Sequence, residues 1–147
     1  MNIKANGTFP AEISEIENVY GFISRILSES GLDAAVATLF ELAADEIFSN
    51  IVKYGYESEA SRTAADAAVY IAIHIGDDAV SMTFRDRGNP FDPLQTHPPD
   101  LSLGLDERPV GGLGIHIVKN SFDDVRYSFE EGFNVFTLIK LRKRGPR

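Results

Sequence analysis

The sequence predicts a two-layer α/β sandwich, with a mixed, mostly antiparallel sheet carrying helices on one face. Three observations predict it. Val36, Leu39, Phe40, Ala43, Ile47, Ile51 and Tyr54 recur at spacings of three and four, the stripe of an amphipathic helix. Val69, Ile71, Ile73 and Ile75 alternate with Tyr70, Ala72 and His74. After Gly76-Asp77-Asp78 the alternation resumes with Val80, Met82 and Phe84 against Ser81, Thr83 and Arg85, a hairpin of half-buried strands. Residues 125–129 and 133–141 then read as two further strands about Glu131-Gly132. At 147 residues the chain fits one domain, residues 1–147, large enough to bury a core without staples.

Each element follows in order. Residues 2–9 suit a short edge strand, with Ile3, Ala5 and Gly7 alternating against Lys4, Asn6 and Thr8. Pro10 is expected to start a helix, with Glu12 and Glu15 in a first turn whose dipole favours acids. Ile13, Ile16, Tyr20, Ile23 and Leu27 form its stripe. Val19, Phe22 and Ile26 widen that stripe enough to serve both a core and a partner. Gly31 stops this helix and Asp33 caps the next, which ends near Gly55-Tyr56. Residues 57–67 are small and polar and read as a loop. Residues 86–110 hold Pro90, Pro93, Pro98, Pro99 and Pro109 and no sustained periodicity. So long a loop in a compact domain is usually functional, often a lid. Residues 113–122 suit a short helix.

Composition narrows the function classes. There is no cysteine, which excludes a disulfide framework, a thiolate metal site and a cysteine nucleophile. No signal-peptide pattern is visible at the N-terminus, and no apolar run approaches the roughly 20 residues of a membrane span, so a cytoplasmic location is expected. The net charge of −8 argues against direct nucleic-acid binding, which needs clustered Lys and Arg. The one basic cluster, Lys140 to Arg147, reads as a solvated end. His74, His97 and His116 lack metal-ligand spacing. An acidic chain that handles an anion needs backbone NH groups or a metal to receive it, which directs attention to glycine-rich loops.

Three stretches carry candidate chemistry. Glu46 and Asn50 lie four apart at the rim of the central apolar stripe, hence on one helix face. The carboxamide oxygen can ligate Mg²⁺ and the carboxylate can accept a proton, although such pairs are often merely solvated. In Asp86-Arg-Gly88-Asn-Pro-Phe91-Asp92-Pro93 a carboxylate at a strand end can accept a hydrogen bond from the exocyclic amine of adenine. Gly88 lets a flat base approach the backbone, and a plain turn has the same composition. Gly111-Gly-Leu-Gly114-Ile opens a helix directly after the long loop, offering NH groups to phosphate. It is neither a Walker A loop nor a dinucleotide fingerprint, because no Gly-Lys-Ser/Thr follows and no strand leads in. Thr137, inside an apolar strand, matters only if it faces Asp86.

Taken in order, Asp45-Glu46-x-x-x-Asn50, Asp86-x-Gly88-x-Pro-Phe-Asp-Pro93, Gly111-Gly-Leu-Gly-Ile115, Asp124-Val-Arg-Tyr127 and Gly132-x-Asn134-x-x-Thr137-Leu closely resemble the GHKL ATPase superfamily with its Bergerat nucleotide fold. Within it, the chain resembles the bacterial anti-sigma factor serine/threonine kinases over about residues 8–141. The resemblance implies ATP and Mg²⁺ as cofactors, Asn50 as the Mg²⁺ ligand and Glu46 as general base or orienter of the attacking hydroxyl. It implies that Asp86 binds the adenine amine with Gly88 beneath the base, and that Thr137 reaches the base through water. Gly112, Leu113 and Gly114 would frame the phosphates and hinge a lid at about residues 93–110. Lys53, and Arg108 from the lid, would touch phosphate. Relatives often carry His where this chain has Tyr54, which can still pack under the base.

The implied partners are a sigma factor, which the protein would sequester, and a STAS-domain anti-anti-sigma protein, which it would phosphorylate on Ser or Thr. A homodimer is implied as well. An ATP-gated binding module without physiological transfer is the alternative. The catalytic domain of a histidine kinase is disfavoured, because about ten residues before the first helix leave no room for a phosphoacceptor hairpin. A plain ATPase lacks any sign of coupling to a larger machine.

Overall fold

The computed structural model describes residues 2–56, 67–95 and 112–142, with the side chains of Gly112 and Leu113 left out. Five strands form one sheet: β1 (Ile3–Pro10), β2 (Ala68–Ile75), β3 (Ala79–Asp86), β4 (Asp124–Glu130) and β5 (Phe133–Leu141), in the order β1-β2-β3-β5-β4. Helices α1 (Ile16–Glu29), α2 (Ala34–Asn50) and α3 (Gly112–Ser121) supply the second layer. The layered class is as expected. The mixed character is not, since every pairing among the described strands is antiparallel.

Hairpins explain most of this. Gly76 NH bonds to Ala79 O at 2.9 Å and closes β2 onto β3. Glu131 (φ 53°) and Gly132 (φ 85°) form a two-residue turn with positive φ at both positions, which matches the twist of β4 and β5. β1 joins the edge in register, Ile3 opposite Ile75 and Pro10 opposite Ala68. Pro10 therefore ends a strand rather than starting a helix. Its fixed φ suits an edge position, and its missing NH is tolerated there. Helical turns begin only at Ile13, as a short 3₁₀ segment that leads into α1.

Alternation places the core. Val69, Ile71, Ile73 and Ile75 of β2, Val80, Met82 and Phe84 of β3, and Phe136 and Leu138 of β5 are buried against the helices. α1 buries Val19, Ile23 and Leu27 but leaves Tyr20 53% exposed, as is Ile13 of the 3₁₀ segment before it, so the widened stripe is only partly consumed by the fold. α2 is capped by Asp33, whose carboxylate accepts from Ala35 NH at 2.8 Å. It buries Phe40, Ala43, Ala44, Ile47 and Phe48 and passes into a π-helical turn at Ile51–Gly55. Such turns are uncommon and occur often at functional sites. The expected loop at 57–67 lies almost wholly outside the described residues.

Candidate functional site

The carboxyl end of α2, the end of β3 and the start of α3 converge. Asn50 is buried, and its Nδ2 donates to Glu46 Oε1 at 3.3 Å, one turn back on the same face. Its Oδ1 carries no described hydrogen bond and is available to a cation. Glu46 reaches the first turn of α3. A Cβ built on Gly114 would fall on the Glu46 carboxylate, 2.6 Å from Oε1 and nearer still to Oε2. Gly114 is thus a glycine because that carboxylate occupies its side-chain space. Burial pushes the Glu46 carboxyl above its ordinary range. The Asn50 amide opposes this, Asp45 adds to it and Lys53 opposes it weakly. A carboxylate, a carboxamide oxygen and a helix start thereby meet in one place, the parts needed to take a hydroxyl proton, hold a cation and receive phosphate.

The second cluster is built on Asp86, which is 2% exposed. Its Oδ1 accepts from Gly88 NH at 2.8 Å and from Asn134 Nδ2 at 3.1 Å. Its Oδ2 has no partner among the described residues. Burial raises the carboxyl above its ordinary range, and those two donors pull it back. A Cβ on Gly88 would meet Gly55 O at 2.7 Å, and Asn89 NH bonds to that same carbonyl at 3.0 Å. Gly88 is therefore required by the close approach of the α2 extension, a reason the sequence did not reveal. Arg87 NH bonds to the Tyr56 hydroxyl at 3.1 Å, a second tie between the same two segments.

Ile47, Ile51, Gly55, Asp86, Asn89, Phe91, Pro93, Tyr127, Asn134 and Phe136 enclose a pocket here with only about 10 Å³ of free space. That suffices for roughly one water, which needs about 10–15 Å³, and not for a purine. The Phe91 ring, part of the wall, stacks on Tyr54 with centroids 4.6 Å apart and planes at 24°. Tyr54, which the resemblance leaves able to pack under a base, packs here on the protein's own Phe91 ring.

Thr137 is a correction. It lies opposite Thr83, with which it shares a hydrogen bond at 3.2 Å, on the sheet face away from Asp86. Side chains alternate along β5, so Asn134, Phe136 and Leu138 face the helices and Thr137 does not. The β5 residue that does meet Asp86 is Asn134, a motif residue to which the resemblance assigns no role. A polar side chain two residues from a buried aromatic on one strand face was the signal available. Lys53 is exposed, its Nζ 5.1 Å from the Tyr54 ring centroid. Arg108, His97, Gly111 and most of the expected lid lie outside the described residues. The segment's two flanks are tied, since Lys119 Nζ of α3 bonds to Leu94 O in the 3₁₀ turn Pro93–Gln95 at 3.2 Å.

Two grooves flank α2. One, of about 650 Å³, runs between α1 and α2 over Ile16, Val19, Tyr20, Ile23 and Leu42, rimmed by Glu17, Glu41 and Asp45. The other, of about 240 Å³, lies beside Glu46 and Gly114 between α2 and α3. Among the described residues no group of three or more His, Cys, Asp or Glu is arranged to hold a metal ion, and no helix is long and apolar enough to cross a membrane.

The chain is 26% identical over 118 residues to a serine-protein kinase RsbW of Listeria innocua, covering 77% of this chain and 71% of the relative. It is 31% identical over 97 residues to the serine/threonine-protein kinase BtrW of Bordetella bronchiseptica, covering 66% of this chain and 65% of the relative. A crystal structure of the RsbU and RsbW domains of a Mycobacterium tuberculosis protein superposes with a TM-score of 0.65 at 20% identity. That match covers 97% of this chain and 33% of the other, and it supports the fold. The model of the histidine kinase-like ATPase domain matches residues 9–140, and the chain belongs to that family.

Proposed function

We propose that the protein is an ATP-dependent serine/threonine protein kinase that acts as an anti-sigma factor and phosphorylates a STAS-domain anti-anti-sigma protein. The observation that carries this reading is the meeting of Glu46, Asn50 and the first turn of α3 at Gly114. Phosphoryl transfer is mostly positioning and charge stabilisation, and these three elements supply its parts within a few ångströms. Glu46 takes the proton of the acceptor hydroxyl as it attacks in line. The NH groups at the start of α3 receive phosphate oxygens. Asn50 Oδ1 is the oxygen that would hold Mg²⁺, an ion which neutralises charge on the phosphates when bound. Asp86 Oδ2 accepts from the adenine amine. Lys53 would touch phosphate, as would Arg108, which lies outside the described residues.

The relatives named as serine or serine/threonine kinases support the activity. The sigma factor, the STAS substrate and the homodimer come from the family resemblance, and the exposed apolar residues of α1 offer area for them. The closed base pocket favours one alternative, an ATP-gated binding module, because nucleotide entry must move Phe91 and the loop it begins. Labelled ATP·Mg²⁺ incubated with STAS-domain proteins of the same genome separates the two. Label on one such protein, lost in Glu46→Ala and Asn50→Ala, is the expected result. ATP-dependent binding to a sigma or STAS protein without label selects the gated module.

A further inference from the structure

Among the described residues, the Asn134 side chain meets five polar partners at the base pocket. Its Nδ2 lies 3.1 Å from Asp86 Oδ1, 3.2 Å from Gly88 O and 3.1 Å from Asn89 O. Its Oδ1 accepts from Phe91 NH at 3.2 Å and from the Tyr127 hydroxyl. The amide has one orientation only. Turned over, its oxygen would face three acceptors and its NH₂ would face the Phe91 NH. The side chain is 6% exposed, so water cannot replace these bonds. β5 carries it and β4 anchors it, and the loop of Asp86-Arg-Gly-Asn-Pro-Phe91 hangs from it.

We propose that Asn134, held by Tyr127, is the positioning residue that makes the pocket select a 6-amino over a 6-oxo purine, by saturating Asp86 Oδ1 and presenting Oδ2 as a pure acceptor. The proposal rests on the reading of Asp86 as the base-binding carboxylate. An ionised Oδ2 pairs with a 6-amine and repels a 6-oxo oxygen. A protonated carboxyl does the reverse, since it can donate to that oxygen. Burial favours protonation here, and the Gly88 NH and Asn134 amide oppose it. Among the described residues, no other charged group lines the pocket. From α2 and its extension the pocket receives only Ile47, Ile51 and Gly55. From β4 it receives the Tyr127 hydroxyl, which points at Asn134, and Asp92 acts on Tyr127. The Arg87 guanidinium lies over the Phe133 ring, 4.1 Å from its centroid. Removing the Asn134 amide leaves one donor where there were two, and the carboxyl then protonates at higher pH.

The test is the affinity of the full chain for ATP and for inosine triphosphate, which differs at position 6, measured by titration between pH 5 and pH 8 in wild type, Asn134→Ala and Tyr127→Phe. The loss of one hydrogen bond to a charged group corresponds to about tenfold or more. Asn134→Ala is expected to lower the ATP-to-ITP preference by at least that factor, with ATP affinity falling away at a higher pH than in wild type. Tyr127→Phe keeps the amide but loosens its anchor, and is expected to shift both quantities the same way by a smaller factor. If Asn134→Ala does not fold, Tyr127→Phe decides alone. Preference and pH profile unchanged in the folded variants, with wild type selective for ATP, overturn the role of Asn134 and leave the base pocket standing. Wild type that binds neither nucleotide removes the base pocket, and the proposal with it.

Discussion

Gly114 and Glu46 depend on each other. The carboxylate fills the space of a missing Cβ, so a methyl group at 114 must displace it. The obstacle is the far end of a flexible side chain, and the backbone need not move. Alanine is also the better helix former, by up to about 1 kcal/mol. Gly114→Ala is therefore expected to unfold at the same or a higher temperature than wild type and to lose transfer by about a hundredfold or more, the usual worth of a positioned base. Thermal unfolding beside a single-turnover transfer assay reads both. Full activity in a stable variant would mean that the carboxylate does not work from this place. The same residue sets a pH dependence. In the proposed role Glu46 would act as a base only when ionised, and burial raises its carboxyl above the ordinary 4.5. The transfer rate should climb with pH through a midpoint above that value. Asp45, an exposed neighbour, contributes to the rise, so Asp45→Asn should move the midpoint down. A midpoint that does not move would assign the acid limb to another group.

At the scale of elements, the π-helical turn after Asn50 is what brings Tyr54 over Phe91 and Gly55 against Gly88. The stack closes the pocket at Asp86, so on the proposed reading nucleotide entry must open it. Phe91→Ala is expected to raise the association rate of a fluorescent ATP analogue several-fold in stopped flow. An unchanged rate would show that the stack opens faster than ligand arrives. Legibility divides along the same elements. β2 and β3 could be read because one face is buried and the other wet, which produces clean alternation, and Gly76 and Gly132 mark tight turns. β5 could be read as a strand but not by face, because Val135, Thr137 and Ile139 on its outer side are as β-prone as Phe136 and Leu138 within. Nothing local therefore tells that Thr137 faces outward and Asn134 inward. Pro10 misled because a proline suits a strand end and a helix start equally, and only the pairing with Ala68 decides. Phe48 and Ala44 escaped the predicted stripe because α2 is covered on more than one side. The Glu46–Asn50 pair was legible from spacing, whereas its meeting with Gly114 joins residues 68 positions apart and needed the fold.

The whole molecule carries its site as part of its core. Ile47, Phe136 and Ile51 line the base pocket and belong to the same apolar cluster as Phe40, Phe48 and Phe84. A carboxylate at the edge of that cluster is a burden on folding, kept where function requires it. The direction can be worked out. The Asp86 carboxyl titrates higher in the folded chain than its ordinary 3.8. The folded state thus binds the proton more tightly than the unfolded one. The stability linked to that proton is fully present below 3.8 and is lost as pH rises through the folded value. Asp86→Asn removes the charge and retains an oxygen that can accept from Gly88 and Asn134. Without nucleotide, the variant is expected to unfold at a higher temperature than wild type at pH 7, with the difference shrinking as pH falls towards 3.8. Adding ATP reverses the order. Ligand at a hundred times Kd adds about 2.7 kcal/mol to a protein that binds it and nothing to one that does not, so wild type gains and the variant stays where it was. Thermal unfolding across pH, with and without ATP·Mg²⁺, measures all four states. A variant less stable than wild type at pH 7 would make Asp86 a structural clamp on the Gly88 turn rather than a charge retained for a ligand.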